Sequence, residues 1–130
     1  MAAPTIRRRV TVPDHRTISK ASAPSHSWGE GCQGWTLADA RSLHVMQERM
    51  PPRAVEVRHL HRRTSQFCFV LEGRATIDLD GVRERLRPGE GVEIPAGAVH
   101  QLRNDFTTDL EFMVVSTGRP REDRVDLEGG

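Results

Sequence analysis

The sequence predicts an all-β fold, a sandwich or barrel of short strands, on three observations. Apolar and polar residues alternate in short runs, turn-forming residues separate these runs, and only residues 37–42 have the spacing of a helical turn. The predicted strands are residues 43–50, 55–61, 66–71, 74–79, 91–94, 99–102 and 110–116. Seven or more short strands with regular turns are typical of sandwiches and barrels. Because no segment repeats another, we expect a single barrel.

Glycine, proline, asparagine and aspartate mark the ends of these strands. The turn residues, in chain order, are Pro51-Pro52, Gly73, Asp80-Gly81, Pro88-Gly89, Pro95-Ala96-Gly97 and Asn104-Asp105. The Asp80-Gly81 pair lies between two alternating segments, which is the pattern of a two-residue hairpin turn. We therefore expect a tight β-hairpin at this point.

The regions that flank the strands lack a sustained apolar period. Residues 1–27 contain several prolines, serines and threonines and are predicted to form an N-terminal arm. Residues 28–118 form the predicted folded domain, and the polar residues 119–130 are expected to be a flexible tail. The glycine-rich segment between Trp28 and Trp35 lacks the strand–helix setting of a phosphate loop. Its tryptophans are expected to cover an edge or the mouth of the barrel.

The composition excludes several classes of protein. The chain has 130 residues, of which 36% are hydrophobic and 28% charged, with 19 basic against 18 acidic residues. A net charge of +1 argues against a nucleic-acid-binding protein, which carries a clustered positive excess. No apolar run approaches the roughly 20 residues of a membrane span, and no signal peptide is apparent, so a cytoplasmic protein without membrane partners is expected. The two cysteines, Cys32 and Cys68, are predicted to be reduced and buried.

Two histidines are the first residues in the sequence pattern that indicate a functional site. His59 and His61 are two residues apart on a predicted strand, so their side chains leave the same face, which Val55 and Val57 share. The valines predict that this face is the interior one, where imidazoles need partners. A metal ion would satisfy both rings at once. The remaining histidines before residue 50 are predicted to be surface or loop residues: His15, His26 and His44.

Two motifs, separated along the chain, support the interpretation of a metal site. The first runs His-x-His, then a residue five positions on, then Gly, and here consists of His59, His61, Gln66 and Gly73. The second contains Gly89, Pro95, Gly97, His100 and Asn104. With both motifs in this order, residues 43–116 resemble the cupin superfamily, and their single occurrence resembles a one-domain cupin.

The resemblance implies an antiparallel jelly-roll barrel, also called a double-stranded β-helix, with one divalent metal ion inside. The ion would be zinc, iron, manganese or nickel, and its ligands would be His59, His61 and His100. Gln66 departs from the family pattern, in which this position is Glu. A Gln amide is a neutral oxygen donor that takes up no proton, and it is either a ligand or a hydrogen-bond partner beside the ligands. Such a site would attract anionic oxygens of a substrate.

The resemblance also implies a metal-dependent enzyme that acts on a small oxygenated or anionic organic substrate. The missing carboxylate favours Lewis-acid isomerase or cyclase chemistry. Because neutral three-histidine iron sites occur in cupin-like dioxygenases, dioxygenase activity is the second candidate. A non-catalytic ligand-binding or sensor cupin is the alternative. If Leu43 and Val45 face the interior, Gln47 and Arg49 do so too and would bind substrate, together with Cys68.

The predicted strand at residues 66–71 indicates that the chain forms an oligomer. Gln66, Cys68 and Val70 share one face of residues 66–71, which leaves Phe67 and its apolar neighbours on the other. An apolar outer face needs a cover, either from the N-terminal arm or from a second subunit. Since cupins commonly dimerise through such a face, a homodimer is expected.

Overall fold

The computed structural model describes residues 10–11 and 17–127, which form two antiparallel β-sheets. The strands are β1 Ser25–Trp28, β2 Cys32–Ala40, β3 Leu43–Met50, β4 His59–His61, β5 Gln66–Glu72, β6 Ala75–Leu79, β7 Val82–Leu86, β8 Gly91–Ile94, β9 His100–Arg103, β10 Leu110–Ser116 and β11 Arg124–Asp126. A single turn of 3-10 helix, Pro120–Glu122, precedes β11. Within the described residues, no helix has the length and apolar character needed to cross a membrane.

The two sheets have the strand orders of a jelly roll. The six-stranded sheet has the order β1-β2-β3-β10-β5-β8, and the five-stranded sheet has the order β11-β4-β9-β6-β7. Non-consecutive strands are neighbours in both sheets, because the chain crosses repeatedly from one sheet to the other. The predicted all-β jelly-roll fold is therefore confirmed. Apolar side chains from both sheets form the core: Met50, Val70, Ala75, Ile77, Leu86, Ile94, Leu102, Leu110 and Phe112.

Turn chemistry explains two of the strand connections. Asp80 and Gly81 both have positive φ, +48° and +83°, and join β6 to β7 with Leu79 opposite Val82. This is the predicted tight hairpin, since a type I′ turn requires positive φ at both central residues. Gly97, with φ of +84°, closes the turn before β9, and its N–H donates to the carbonyl of His61 at 2.7 Å. This bond ties the turn to β4 and starts β9 at His100.

The second motif ends in a residue with a structural role. The Asn104 side chain is fully buried. Its Nδ2 donates to the carbonyls of Met50 and Thr108, and its Oδ1 accepts the N–H of Phe106. Asn104 therefore fastens the loop after β9 to the end of β3.

Two sequence predictions are wrong in the described regions. Residues 37–42, predicted as a helical turn, lie mostly in β2, where a bulge between Thr36 and Ala38 interrupts the alternation. An extra residue in a strand breaks the period of two, which explains the misleading pattern. The flexible tail predicted for residues 119–130 is also incorrect over residues 120–126, because β11 pairs with β4. The predicted N-terminal arm overlaps β1, and its residues 1–9 and 12–16, which include His15, lie outside the described residues, as do residues 128–130 of the tail.

Candidate metal centre

Three buried histidines meet between β4 and β9. His59 and His61 leave β4 on one face, and His100 is the cross-strand partner of His59. The ring of His59 lies 5.1 Å from that of His61 and 4.2 Å from that of His100, measured between centroids. One ring nitrogen from each residue can be chosen so that all three atoms lie within 4.8 Å of one another. The structure thus brings together the three histidines that the two motifs predicted.

In each of the three rings, Nδ1 forms a hydrogen bond with another group of the protein. Nδ1 of His59 lies 2.7 Å from the carbonyl oxygen of Val57, and Nδ1 of His100 lies 2.9 Å from that of Ala98. Because a carbonyl only accepts, Nδ1 is the protonated nitrogen in both rings, and Nε2 retains its lone pair. Metal-binding histidines are held in this way by partners of the other ring nitrogen. The arrangement therefore fits a divalent metal ion held by three Nε2 atoms.

The third ring is oriented by a carboxylate. Nδ1 of His61 donates to Oδ1 of Asp123 at 3.1 Å. The other oxygen of Asp123 accepts the backbone N–H groups of Arg63 and Thr64, each at 2.7 Å. Burial acts to raise the pKa of Asp123, but these donors outweigh it and hold the pKa below its ordinary value. Asp123 is therefore an ionised acceptor that selects the His61 tautomer with Nε2 free.

Burial favours the neutral form of two of the imidazoles, those of His59 and His100. Removal from water, together with the nearby His100 and Arg124, lowers the pKa of His59 to about 3. Burial likewise lowers the pKa of His100, against the opposing effect of its bond to Ala98. A neutral imidazole is the form that ligates a metal.

Gln66 lies beside this cluster on the wall of the same cavity. Its side chain is buried, and its Nε2 donates to the hydroxyl of Ser116 at 3.1 Å. This bond orients the amide and leaves its carbonyl oxygen without a donor among the described residues. Gln66 thus has an oxygen available to a ligand in the cavity.

The three histidines lie on the wall of a cavity of about 680 Å³ between the sheets. Cys68, predicted to bind substrate, is on the cavity wall and is 2% exposed. Burial raises the pKa of its thiol, and Glu56 and Glu48 raise it further, so Cys68 is an uncharged group. Trp28 also contributes to the cavity wall. The cavity is large enough for a small organic molecule.

The structure places Gln47 and Arg49 outside the cavity. The residues of β3 that line it are His44, Met46 and Glu48. Arg49 instead donates to the carbonyl of Gly31 at 3.3 Å and pairs with Asp109 at 3.6 Å. The sequence prediction that Leu43 and its alternate neighbours face inward is wrong, because both faces of β3 carry apolar residues and the alternation does not reveal which face is interior. Leu43 is 47% exposed.

Sequence reasoning missed several titratable residues of the cavity wall. His26 and His44 were expected on the surface or in loops, and Glu48 and Glu56 were not singled out. Correct assignment of the faces of β3 would have revealed His44 and Glu48. Val55 and Val57 do line the cavity, as expected, but about half of each is exposed, 49% and 53%. They lie at its rim rather than in the core.

Fold and site together define a class: a small jelly-roll protein with three histidines inside the barrel that could hold a metal ion. The chain belongs to the cupin family, since the family model described as Cupin domain matches residues 46–116. A solved structure of a cupin-superfamily sugar phosphate isomerase from Silicibacter pomeroyi superposes with a TM-score of 0.70. It is 24% identical, and the match covers 80% of this chain and 76% of that one. At this identity the likeness shows the fold alone.

Two curated proteins from Streptomyces are more similar in sequence. Protein SchB of Streptomyces halstedii is 38% identical over 69 residues, which are 53% of this chain and 49% of SchB. Polyketide synthase CurC of Streptomyces cyaneus is 41% identical over 46 residues, which are 35% of this chain and 30% of CurC. The chain thus spans half or less of the length of these relatives.

Proposed function

We propose that this protein is a metal-dependent enzyme that acts on a small carbonyl compound of the polyketide class, by isomerase- or cyclase-type chemistry. The observation that carries the proposal is the set of three imidazoles whose Nδ1 atoms are all engaged, which leaves three Nε2 lone pairs at one cavity. The name of the relative polyketide synthase CurC supports the substrate class.

The proposed ligands are His59, His61 and His100, with the amide oxygen of Gln66 as a fourth donor. All four groups are neutral, so the ligands themselves would leave the charge of a divalent ion uncompensated. When bound, such an ion supplies Lewis acidity that polarises a carbonyl oxygen. The site therefore favours a substrate that presents a carbonyl or enolate oxygen.

Arg124 supports an anionic or strongly polarised substrate. It lies on the cavity wall near the histidines and is held in place by a 2.6 Å hydrogen bond from its Nε to Asp126. Its positive charge contributes to the lowered pKa of His59 and of His100. The same charge would hold an oxyanion of the substrate close to the three imidazoles.

The first test is the metal content of protein purified without added metal. We expect one equivalent of a divalent ion, and we expect His59→Ala to lose it. His44→Ala removes an imidazole from the same cavity outside the three-histidine cluster and serves as the matched control, with one equivalent retained. A His59→Ala protein that binds one equivalent with unchanged affinity would contradict the proposed site.

The second test is catalysis of enolisation. The zinc-loaded protein should accelerate exchange of the protons beside the carbonyl of 1-tetralone for deuterium, followed by NMR in deuterated buffer. Iron in the purified protein together with oxygen uptake would instead support the dioxygenase that the neutral donor set also permits. A loaded site that binds 1-tetralone without exchange or oxygen uptake would support a ligand-binding protein and contradict the enzyme.

A further inference from the structure

Two carboxyl groups from opposite walls face the cavity that holds the three histidines. Glu48 comes from β3 of the six-stranded sheet, and Glu56 comes from the segment before β4. They are close enough for the charge of Glu48 to raise the pKa of Glu56. Neither residue belongs to the two sequence motifs.

Glu48 lacks polar partners. Its cross-strand neighbours are Gly34 on β2 and Phe112 on β10, and neither has a polar side-chain atom. No described residue donates a hydrogen bond to its carboxyl group or forms an ion pair with it. Burial raises the pKa of Glu48 to about 7, although the charge of Arg124 acts in the opposite direction. A carboxyl group in this setting changes its protonation state near neutral pH.

Glu56 is held rigidly. The backbone N–H of Leu102 donates to its Oε1 at 2.8 Å, and the N–H of Glu56 donates to the carbonyl of Leu102 at 3.1 Å. Nε2 of Gln101 also donates to the carbonyl of Glu56 at 3.1 Å. Burial raises the pKa of Glu56 to about 8, and Glu48 contributes, while the bond from Leu102 opposes the shift. Glu56 is therefore a fixed carboxyl group beside Glu48, with one oxygen committed to the Leu102 N–H.

Other groups close to this pair are few. Charged or titratable side chains that act on the pair, or are acted on by it, are Arg124 and Asp126 on β11, Cys68 on β5 and Cys32 on β2. Of these, the thiols are uncharged, because burial raises the pKa of both Cys32 and Cys68. Arg124 is the cation that acts on both carboxyl groups.

The chemistry proposed above requires a proton acceptor that the three-histidine cluster does not supply. The Nε2 atoms of the histidines are committed to the metal, and the Gln66 amide takes up no proton. A carboxylate on the facing wall of the cavity supplies the missing function.

We propose that Glu48 is the acid–base residue of this cavity and that Glu56 is a positioning residue that keeps it poised. The assignment rests on the proposed function. An oxygen of ionised Glu48 takes a proton from the carbon next to the substrate carbonyl. The C–H bond breaks, its electron pair forms the enolate C=C bond, and the carbonyl π pair moves to oxygen. Protonated Glu48 exchanges this proton with solvent and then returns a proton to carbon, so deuterium enters from deuterated buffer and no oxidant or reductant is consumed.

The test measures deuterium exchange of 1-tetralone by the zinc-loaded full chain. Glu48→Gln should lower the exchange rate by about 100-fold or more, the usual contribution of a general base, with zinc content unchanged. Glu84→Gln makes the same change on the exposed face of β7, outside the cavity, and should keep the wild-type rate. The wild-type rate should rise with pH and level off once Glu48 is ionised, and the profile of Glu48→Gln should lack this rise.

A second measurement does not depend on turnover. In the metal-free protein, titration of the glutamate carboxyl carbons by NMR should show one signal, absent from Glu48→Gln, that titrates near neutral pH. In Glu48→Gln the pKa of Glu56 should fall, because the like charge beside it is gone. Glu56→Gln should shift the pH profile of exchange while keeping a rate well above that of Glu48→Gln.

The outcomes separate the two proposals. A wild-type protein with zinc bound but no exchange above buffer would overturn the proposed function and this assignment together. An active wild type with an equally active Glu48→Gln would overturn the assignment alone. A Glu48 signal that titrates at the ordinary value for glutamate would overturn it as well.

Discussion

Nδ1 of His61 lies 3.1 Å from Oδ1 of Asp123, so a residue near the C-terminal end of the chain orients one of the three central imidazoles. The contact is possible because β11 pairs with β4 at the edge of the five-stranded sheet. Asp123 is itself fixed by the backbone donors of Arg63 and Thr64. The segment after the last predicted strand is thus part of the candidate metal centre.

Replacing this carboxylate should weaken metal binding. In Asp123→Asn the ionised acceptor for the His61 Nδ1–H is lost, and the metal affinity should fall by about 10- to 100-fold. The affinity is measured by competition with a chromophoric chelator. Glu122→Gln alters the neighbouring carboxylate, whose side chain is 66% exposed, and should bind as wild type does. Equal affinities of Asp123→Asn and wild type would show that Asp123 does not support the site.

Restoring a carboxylate beside the histidines should tighten metal binding. Gln66→Glu adds an anionic oxygen on the wall of the cavity and should increase the affinity and alter the preference among divalent metals. Gln47→Glu is the matched control, since Gln47 lies outside the cavity lining and its change should have no effect. If Gln66→Glu left both affinity and preference unchanged, Gln66 would not belong to the ligand set.

The stability of the metal-free protein should depend on pH through Glu48. Its folded pKa of about 7 lies above the ordinary value of 4.5, so the folded state binds the proton more tightly than the unfolded state. The resulting stabilisation is fully present below about pH 4.5 and is lost as the pH rises through 7. Glu48→Gln should therefore gain stability relative to wild type between pH 5 and 8, by up to about 3 kcal/mol.

Urea unfolding at pH 5 and at pH 8 checks this expectation. The quantity to compare is the difference in unfolding free energy between variant and wild type, which cancels the titration of the groups that Glu48 does not influence. Glu84→Gln should show no change in this difference, because its side chain is exposed on β7. A difference for Glu48→Gln that is the same at pH 5 and pH 8 would contradict the raised pKa.

We propose a homodimer that buries the outer face of the six-stranded sheet. Phe67 is 42% exposed, and its ring stacks on Phe69 at 6.1 Å between centroids. Met113 and Val115 lie opposite these two residues on β10, so they extend the apolar face. Burying such side chains is worth about 1.5–3 kcal/mol each.

Light scattering at micromolar concentration measures the assembly. We expect a dimer for the wild type and a monomer for Phe67→Glu. Val82→Glu places the same charge at an exposed residue of the other sheet and should remain dimeric. A monomeric wild type would rule out the second subunit as the cover and leave the N-terminal arm.

Local patterns were enough to predict most strands and the His59–His61 pair, and the resemblance of the second motif to that of cupins added His100. The period of two placed His59 and His61 on one face, and the turn around Gly97 placed His100 at the start of the next strand. The Asp80-Gly81 hairpin was equally predictable, because turn geometry depends on adjacent residues only. These features depend on a few consecutive residues, so they can be predicted from the sequence without the tertiary structure.

The remaining features depend on how the strands pack. Alternation shows which residues of β3 share a face, but strand pairing and closure of the barrel make the face of Glu48 the interior one and that of Arg49 the outer one. The bond between His61 and Asp123 joins residues 62 positions apart, and no local pattern encodes such a distance. Glu48 and Glu56 share one cavity because two sheets enclose it. Long-range packing therefore orients the histidines and raises the pKa values of Glu48 and Glu56, whereas local sequence patterns place the histidines on their strands.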